Sequence, residues 1–381
     1  MKILLVCNNA SIPGNGICTS VRTTVAQLRK SGIDARVLAG ENADLAGPQP
    51  DFRLKRFYFP FFQPIIDANG FSYASRDKKI IRQAVEWADV VHIQEPLFLQ
   101  KTAIRMAKKM GKAVVGTFHL YTENLLSEIP GASWKWSNHL LMLDWRNHFF
   151  NRCSDIQCPS QTVRNLLEEY RFKSRLHVIS NGIDIPEKPV TARRNDGPPY
   201  LIINIGRFAV KKDQHTLLRA MRFSRHAKDI QLHFAGNGQL IRKYEKEAGA
   251  LLKEGILRHR PVFAFHNTEQ LKELAARSYL YVHCATIEVE GLGCLEAIRE
   301  GTVPVIAKGR LIATSDFALD ERSTFPAGDA RALAERIDWW IEHPRERNEM
   351  AQRYADSARR YSVETSAEKL IAMYRQALGI D

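Results

Sequence analysis

The sequence predicts an α/β protein made of two doubly wound, Rossmann-like domains, and three observations predict it. Short apolar runs alternate with longer amphipathic ones, the βαβ rhythm of a parallel sheet with helices on both faces. The rhythm stops in a stretch rich in Pro, Gly and charge at 184–199 and then restarts. The length, 381 residues, exceeds what one hydrophobic core usually fills.

In the first half, strand-like runs fall at 2–7, 34–39, 89–93, 113–117, 155–158 and 176–180, with helix-like runs at 20–30, 76–87, 97–109 and 161–170. In the second, strands are expected at 200–205, 231–235, 279–284 and 303–306, with helices at 215–223, 239–250 and 293–299. The tail from 330 to 378 reads as helical, broken near Pro344 and Ser362, and its last helix is expected to return to the first domain. The domains are therefore expected at 1–185 with 363–381, and at 186–362. Ligands of such sheets lie beyond the carboxyl ends of the strands, so the cleft between the domains is the expected site.

Composition excludes several classes. No run of eighteen apolar residues occurs, which argues against a conventional membrane-spanning helix, and the opening M-K-I-L-L-V-C-N-N reads as a buried strand rather than a signal peptide. The six cysteines show no C-x-x-C pairing or disulfide density and suggest reduced thiols in a cytosol. Neither H-E-x-x-H nor D-x-D occurs, so no metal is expected and charge on a phosphate must be met by Arg, Lys and helix dipoles. The net charge of +13 is spread over both halves and suggests an anionic partner. No zinc finger, RNP motif or basic tract accompanies it, so nucleic acid is not the expected partner. An anionic membrane leaflet, where each surface Lys or Arg contributes roughly 1 kcal/mol, suits a diffuse excess.

The most informative stretch is E-V-E-G-L-G-C-L-E-A from Glu288 to Ala297. Its glycine turn, Glu290, Gly291, Leu292 and Gly293, opens a helix whose N-terminus favours a diphosphate, and Glu296 sits about one turn inside, where it can accept bonds from ribose hydroxyls. A plain strand-turn-helix with solvated glutamates meets the same spacing. Upstream, I-N-I-G-R-F-A-V-K-K places Gly206, Arg207 and Lys212 at the end of a strand, a planar fork and a mobile cation able to converge on one diphosphate. Gly236 and Asn237 in F-A-G-N-G-Q-L permit close approach to a ligand, or Asn237 caps a helix. Phe265 and His266 can flank a base or belong to the core. In the first half, Gly14 and Gly16 stand where a phosphate-binding turn would, without a third glycine. His119, just past a strand, is the most plausible catalytic histidine of the twelve; His92 reads as core.

Together these residues resemble the retaining glycosyltransferases of family 4, through G-R-F-x-x-x-K at 206–212, the Glu288/Glu296 pair, E-G-T-V-P-V at 300–305, P-S-Q-T-V at 159–163 and I-S-N-G-I-D at 179–184. The resemblance spans nearly the whole chain and implies the GT-B fold. It further implies that Arg207 and Lys212 bind the donor diphosphate, Glu296 the ribose and Glu288 the transferred sugar, with His119 serving the reacting centre. P-x-N-G-I-x-T-S at 13–20, H-I-Q-E-P-L-F at 92–98 and G-T-F-H-L-Y-T-E-N at 116–124 are most similar to enzymes that place an α-linked hexose on diacylglycerol or ceramide. Two aromatic stretches suit that acceptor: F-Y-F-P-F-F-Q-P-I-I at 57–66, and Trp134, Trp136, Leu140, Leu141, Trp145 and Phe149 interleaved with Lys135, Arg146 and Arg152. Ala285 and Glu290 depart from the family's serine and aromatic, which leaves the hexose open. The implied activity is retaining, metal-independent transfer from a UDP-hexose to a lipid at the inner face of the membrane. A soluble or polyprenyl-linked acceptor is the alternative within the fold, and a nucleic-acid or anionic-surface binder with a degenerate site is the alternative outside it.

Overall fold

The computed structural model describes residues 1–380 apart from 13–14, 43, 45–47, 62, 64–65, 67–70, 127–133 and 187–195. The chain divides into two compact units, Met1–Gly182 with Val363–Asp381, and Ile183–Ser362. The boundary falls slightly ahead of the expected position at 185. Gly14, three residues of the first aromatic stretch and most of the interdomain stretch lie outside the described residues.

The first unit contains β1 (Lys2–Val6), β2 (Asp34–Gly40), β3 (Phe52–Leu54), β4 (Arg56–Phe57), β5 (Tyr73–Ala74), β6 (Val90–Ile93), β7 (Ala113–Thr117), β8 (Asp155–Cys158) and β9 (Arg175–Val178). Seven form a parallel sheet in the order β3-β2-β1-β6-β7-β8-β9, while β4 and β5 pair as a separate antiparallel ribbon. Covered on both faces, β1 and β6 read as buried runs that are apolar except for Lys2, which is exposed, and His92. Local caps place the helices. Asn15 accepts from the Ile17 and Cys18 amides, so the first helix starts at Gly16 and runs to Lys30; Asp77 caps Lys78–Trp87 in the same way and moves its start two residues past the expected one. The last helix, Val363–Leu378, belongs to this unit. Leu370, Met373 and Tyr374 share a buried cluster with Ile3, Leu5, Val21, Val90 and Val115.

The second unit contains β10 (Tyr200–Ile205), β11 (Ile230–Ala235), β12 (Val262–Ala264), β13 (Leu280–His283), β14 (Val303–Lys308) and β15 (Thr324–Pro326). They form a parallel sheet in the order β12-β11-β10-β13-β14-β15. The short edge strands β12 and β15, and the helix Thr268–Arg277, go beyond the sequence expectation. Pro344 breaks the tail as expected, because a proline without an N–H is tolerated at the first turn of the helix Pro344–Ala358.

Candidate active site

In the second unit the strand order reverses between β10 and β13. Connections leaving their carboxyl ends diverge, and the opening between them is where doubly wound sheets hold ligands. Arg207 and Lys212, on the loop after β10, and Glu288, on the loop after β13, fall there. The loops are tied through main chain: the Thr286 amide donates to the Lys211 carbonyl at 2.9 Å. The main chain at Lys211 thus serves as an anchor.

After β10, the Gly206 amide donates to the Ala235 carbonyl at 3.0 Å, and the Arg207 carbonyl accepts from Gln214 Nε2 at 2.9 Å. Lys212 closes the single turn Val210–Lys212 and forms an ion pair with Glu288 Oε2. Glu288 is fixed from both sides of its backbone, its N–H donating to Leu311 and its carbonyl accepting from Ala313, each at 2.8 Å. Burial pushes the Glu288 carboxyl upward, but the Lys212 ammonium and His283 outweigh it and hold the carboxyl well below the usual carboxylate range. Lys212 and Glu288 are thus paired with each other in this structure.

The glycines of the acidic turn pack against the unit that carries them. Gly291 has φ +90°, and a Cβ there would collide with the Thr314 side chain; at Gly293 a Cβ would meet Ile205 Cγ2 at 3.2 Å. Gly291 is required by its backbone and by packing against Thr314, and Gly293 packs closely against Ile205. Gly291 ends the turn and Leu292 begins the helix Leu292–Arg299. Glu290 is buried rather than turned to solvent, with its backbone carbonyl accepting from Thr314 Oγ1 at 3.2 Å. Glu296 lies half-buried on the helix with its carboxyl shifted up by burial, and it makes no hydrogen bond to a described residue.

The loop after β11 supports the cationic turn. A Cβ on Gly236 would strike the Gly206 carbonyl, and the Asn237 carbonyl accepts from the Phe208 amide at 2.7 Å. Asn237 does not cap a helix, since the next one, Ile241–Lys253, has Leu240 at its cap without a side-chain bond. Beyond β12, Phe265 is 64% exposed, which removes it from the core, and His266 Nε2 meets His233 Nε2 at 2.8 Å.

In the first unit the reversal lies between β1 and β6. Glu95, just past β6, is buried, and its Oε2 accepts from the Asn8 amide (2.8 Å), Asn8 Nδ2 (2.9 Å) and Gln100 Nε2 (2.7 Å). Burial lifts this carboxyl to about 7 against the pull of those donors. His119, past β7, contacts Gln94 Oε1 through Nε2 at 2.9 Å, and burial lowers its pKa to about 3. His92 is a satisfied core residue, between Tyr374 (2.8 Å) and Thr117 (2.7 Å). Gly16 lies in no glycine-demanding geometry, and the amides of Ile17 and Cys18 that a phosphate would use are taken by Asn15.

The aromatic stretches divide. Trp134 and Trp136 are each 61% exposed, Leu140 55% and Phe61 90%, whereas Trp145 and Phe149 are core. Among the described residues no group of three or more His, Cys, Asp or Glu side chains is arranged to hold a metal ion, and no helix is long and apolar enough to cross a membrane.

Sequence reasoning missed Asn8, Gln94, Glu95, His283 and Thr314. Gln94 and Glu95 stand inside the quoted H-I-Q-E-P-L-F run, so their place past a strand end was a usable signal. His283 sits in an apolar strand and Thr314 lies 31 residues away, a pairing no local pattern discloses.

Two Rossmann-like units in tandem, the second with its cationic and acidic turns meeting at the sheet reversal, define a glycosyltransferase of the GT-B fold. Residues 14–187 match the family described as Glycosyltransferase Family 4, and residues 187–360 that described as Glycosyl transferases group 1. The chain belongs to glycosyltransferase family 4. It is similar to the alpha-monoglucosyldiacylglycerol synthase of Streptococcus pneumoniae, 24% identical over 310 residues, which are 77% of this chain and 68% of that one. The solved structure of HepE from Anabaena, in complex with UDP, superposes at a TM-score of 0.73 over 99% of this chain and 100% of its own, with 16% identity. The catalytic domain of cholesterol-alpha-glucosyltransferase from Helicobacter pylori is 40% identical across 43% of this chain and 99% of its own, with a TM-score of 0.40.

Proposed function

We propose that the protein transfers a hexose, glucose or galactose, from a UDP-sugar to the hydroxyl of a membrane lipid, diacylglycerol or ceramide, with retention of configuration. The observation that carries the donor half is the ion pair of Lys212 with Glu288 where the second sheet reverses, with Arg207 on the same loop as Lys212. In this reading Arg207 and Lys212 stabilise the charge that builds on the leaving diphosphate, the kind of electrostatic term that usually dominates such transfers. These cations make a bound metal unnecessary, and transfer is expected to persist in chelator. Glu288 receives the transferred sugar, Glu296 the ribose and Phe265 the base, while His119 serves the reacting centre. His119 is suited to hydrogen bonding as a neutral imidazole, since burial disfavours its charged form.

The lipid half draws on the name of the streptococcal relative and on the outward aromatics Trp134, Trp136 and Phe61. Exposed aromatic rings beside basic side chains suit the interface of an anionic leaflet, so the protein is proposed to act peripherally on the cytoplasmic face. The decisive experiment offers UDP-, GDP- and ADP-sugars with diacylglycerol, ceramide and polyprenyl phosphate. Transfer from a UDP-hexose to either of the first two lipids supports the reading; transfer only to the polyprenyl or a soluble acceptor replaces its lipid half.

A further inference from the structure

Glu288 Oε2 has two nitrogen partners in the second unit, the Lys212 ammonium and His283 Nε2 at 3.5 Å. His283 is buried at the end of β13, and its other ring nitrogen, Nδ1, meets Tyr281 OH at 2.9 Å. Its Nε2 also meets Thr314 Oγ1 at 3.2 Å, and that hydroxyl donates to the Glu290 carbonyl. With the imidazole neutral, one assignment of hydrogens satisfies the whole set: Tyr281 OH donates to Nδ1, Nε2–H donates toward Thr314 Oγ1 and Glu288 Oε2, and Thr314 passes its own hydrogen to Glu290. Burial, reinforced by the Lys212 charge, disfavours the imidazolium, while Glu288 acts in the opposite sense. The neutral Nε2–H tautomer fits both this environment and the geometry.

We propose that His283 is a positioning residue for the sugar-contacting end of the donor site, holding the Glu288 carboxylate and, through Thr314, the Glu290–Gly291 turn. The inference rests on the UDP-sugar reading. If Lys212 engages a diphosphate, its pairing with Glu288 must loosen, because one ammonium cannot neutralise both anions fully. His283 then remains as the partner that keeps Oε2 in place. It touches neither diphosphate nor base in this account, so its loss strikes the sugar and spares the nucleotide.

The test measures binding of UDP, and KM and kcat for UDP-glucose and UDP-galactose, in the full-length protein and in His283→Leu, His283→Gln and Tyr281→Phe. His283→Leu is expected to leave the UDP Kd within about twofold while lowering kcat/KM on the order of 100-fold, the usual scale for a misplaced catalytic group. His283→Gln, which keeps an N–H donor, should recover most of that loss. Tyr281→Phe, which frees the tautomer, should fall between wild type and His283→Leu, and it carries the test if the leucine variant does not fold. Equal weakening of UDP and UDP-hexose, or a glutamine variant as impaired as leucine, overturns the positioning role. A wild-type protein that binds UDP but uses neither UDP-hexose overturns the donor reading, and the role of His283 with it.

Discussion

Lys212 and Glu288 neutralise one another at the mouth of the second sheet, so the two substitutions that test them are coupled. Lys212→Ala removes a cation from the proposed diphosphate site and also strands a carboxylate that burial already disfavours. Its transfer rate should fall at least about 100-fold. Its melting temperature should drop too, by an amount corresponding to about 1–3 kcal/mol, less than for a fully buried pair because both side chains keep some solvent contact. Adding Glu288→Gln should restore the melt without restoring transfer; recovery of both would remove Lys212 from the chemistry. Glu95 offers a pH test. Its carboxyl titrates near 7 in the fold against 4.5 ordinarily, so its contribution to stability is complete below about 4.5 and is lost as pH rises through 7, by up to about 3 kcal/mol. Glu95→Gln should flatten that alkaline decline in thermal melts from pH 5 to 8, and an unchanged slope would contradict the raised pKa. The donor residues were legible because they sit at strand ends, in short motifs with chemically distinctive side chains. Glu95 was harder to read, since its behaviour comes from burial against parts of the chain as distant as Asn8, 87 residues away, and no local window contains that burial.

At the level of elements, the glycine turns carry a packing role that sequence logic did not supply. Gly291 and Gly293 are each packed against another part of the same unit, Thr314 or Ile205. Gly291→Ala combines a left-handed backbone with a collision and should cost at least about 1 kcal/mol from the backbone alone, displacing Glu290 and the start of the following helix. A melt unchanged from wild type would mean that the Thr314 contact yields freely. The buried parallel strands were readable from largely apolar runs. The helix starts at Gly16 and Lys78 were displaced by Asn15 and Asp77, which cap from the residue just before each observed helix. The edge strands β3, β12 and β15 are only three residues long, too short to show a period.

For the molecule as a whole, association with a surface is testable without knowing the acceptor. Replacing Trp134, Trp136 and Leu140 with serine removes exposed apolar area and leaves the core aromatics Trp145 and Phe149 in place. The triple variant should melt like wild type but sediment less with vesicles containing anionic lipid; equal sedimentation would reassign the membrane contact to other residues. The βαβ rhythm, its interruption and its restart made the two-unit plan visible, and the amphipathic tail suggested the returning helix. That return has a consequence for how the protein is made. Gly182 and Val363 are in contact within the first unit, while Ile183 bonds to Tyr361 at the two ends of the second, so the second unit is an insertion between neighbouring points of the first. As the chain leaves the ribosome, the inserted unit can complete its core first. The unit begun earliest must wait for Leu370, Met373 and Tyr374, which follow the whole inserted unit in the chain.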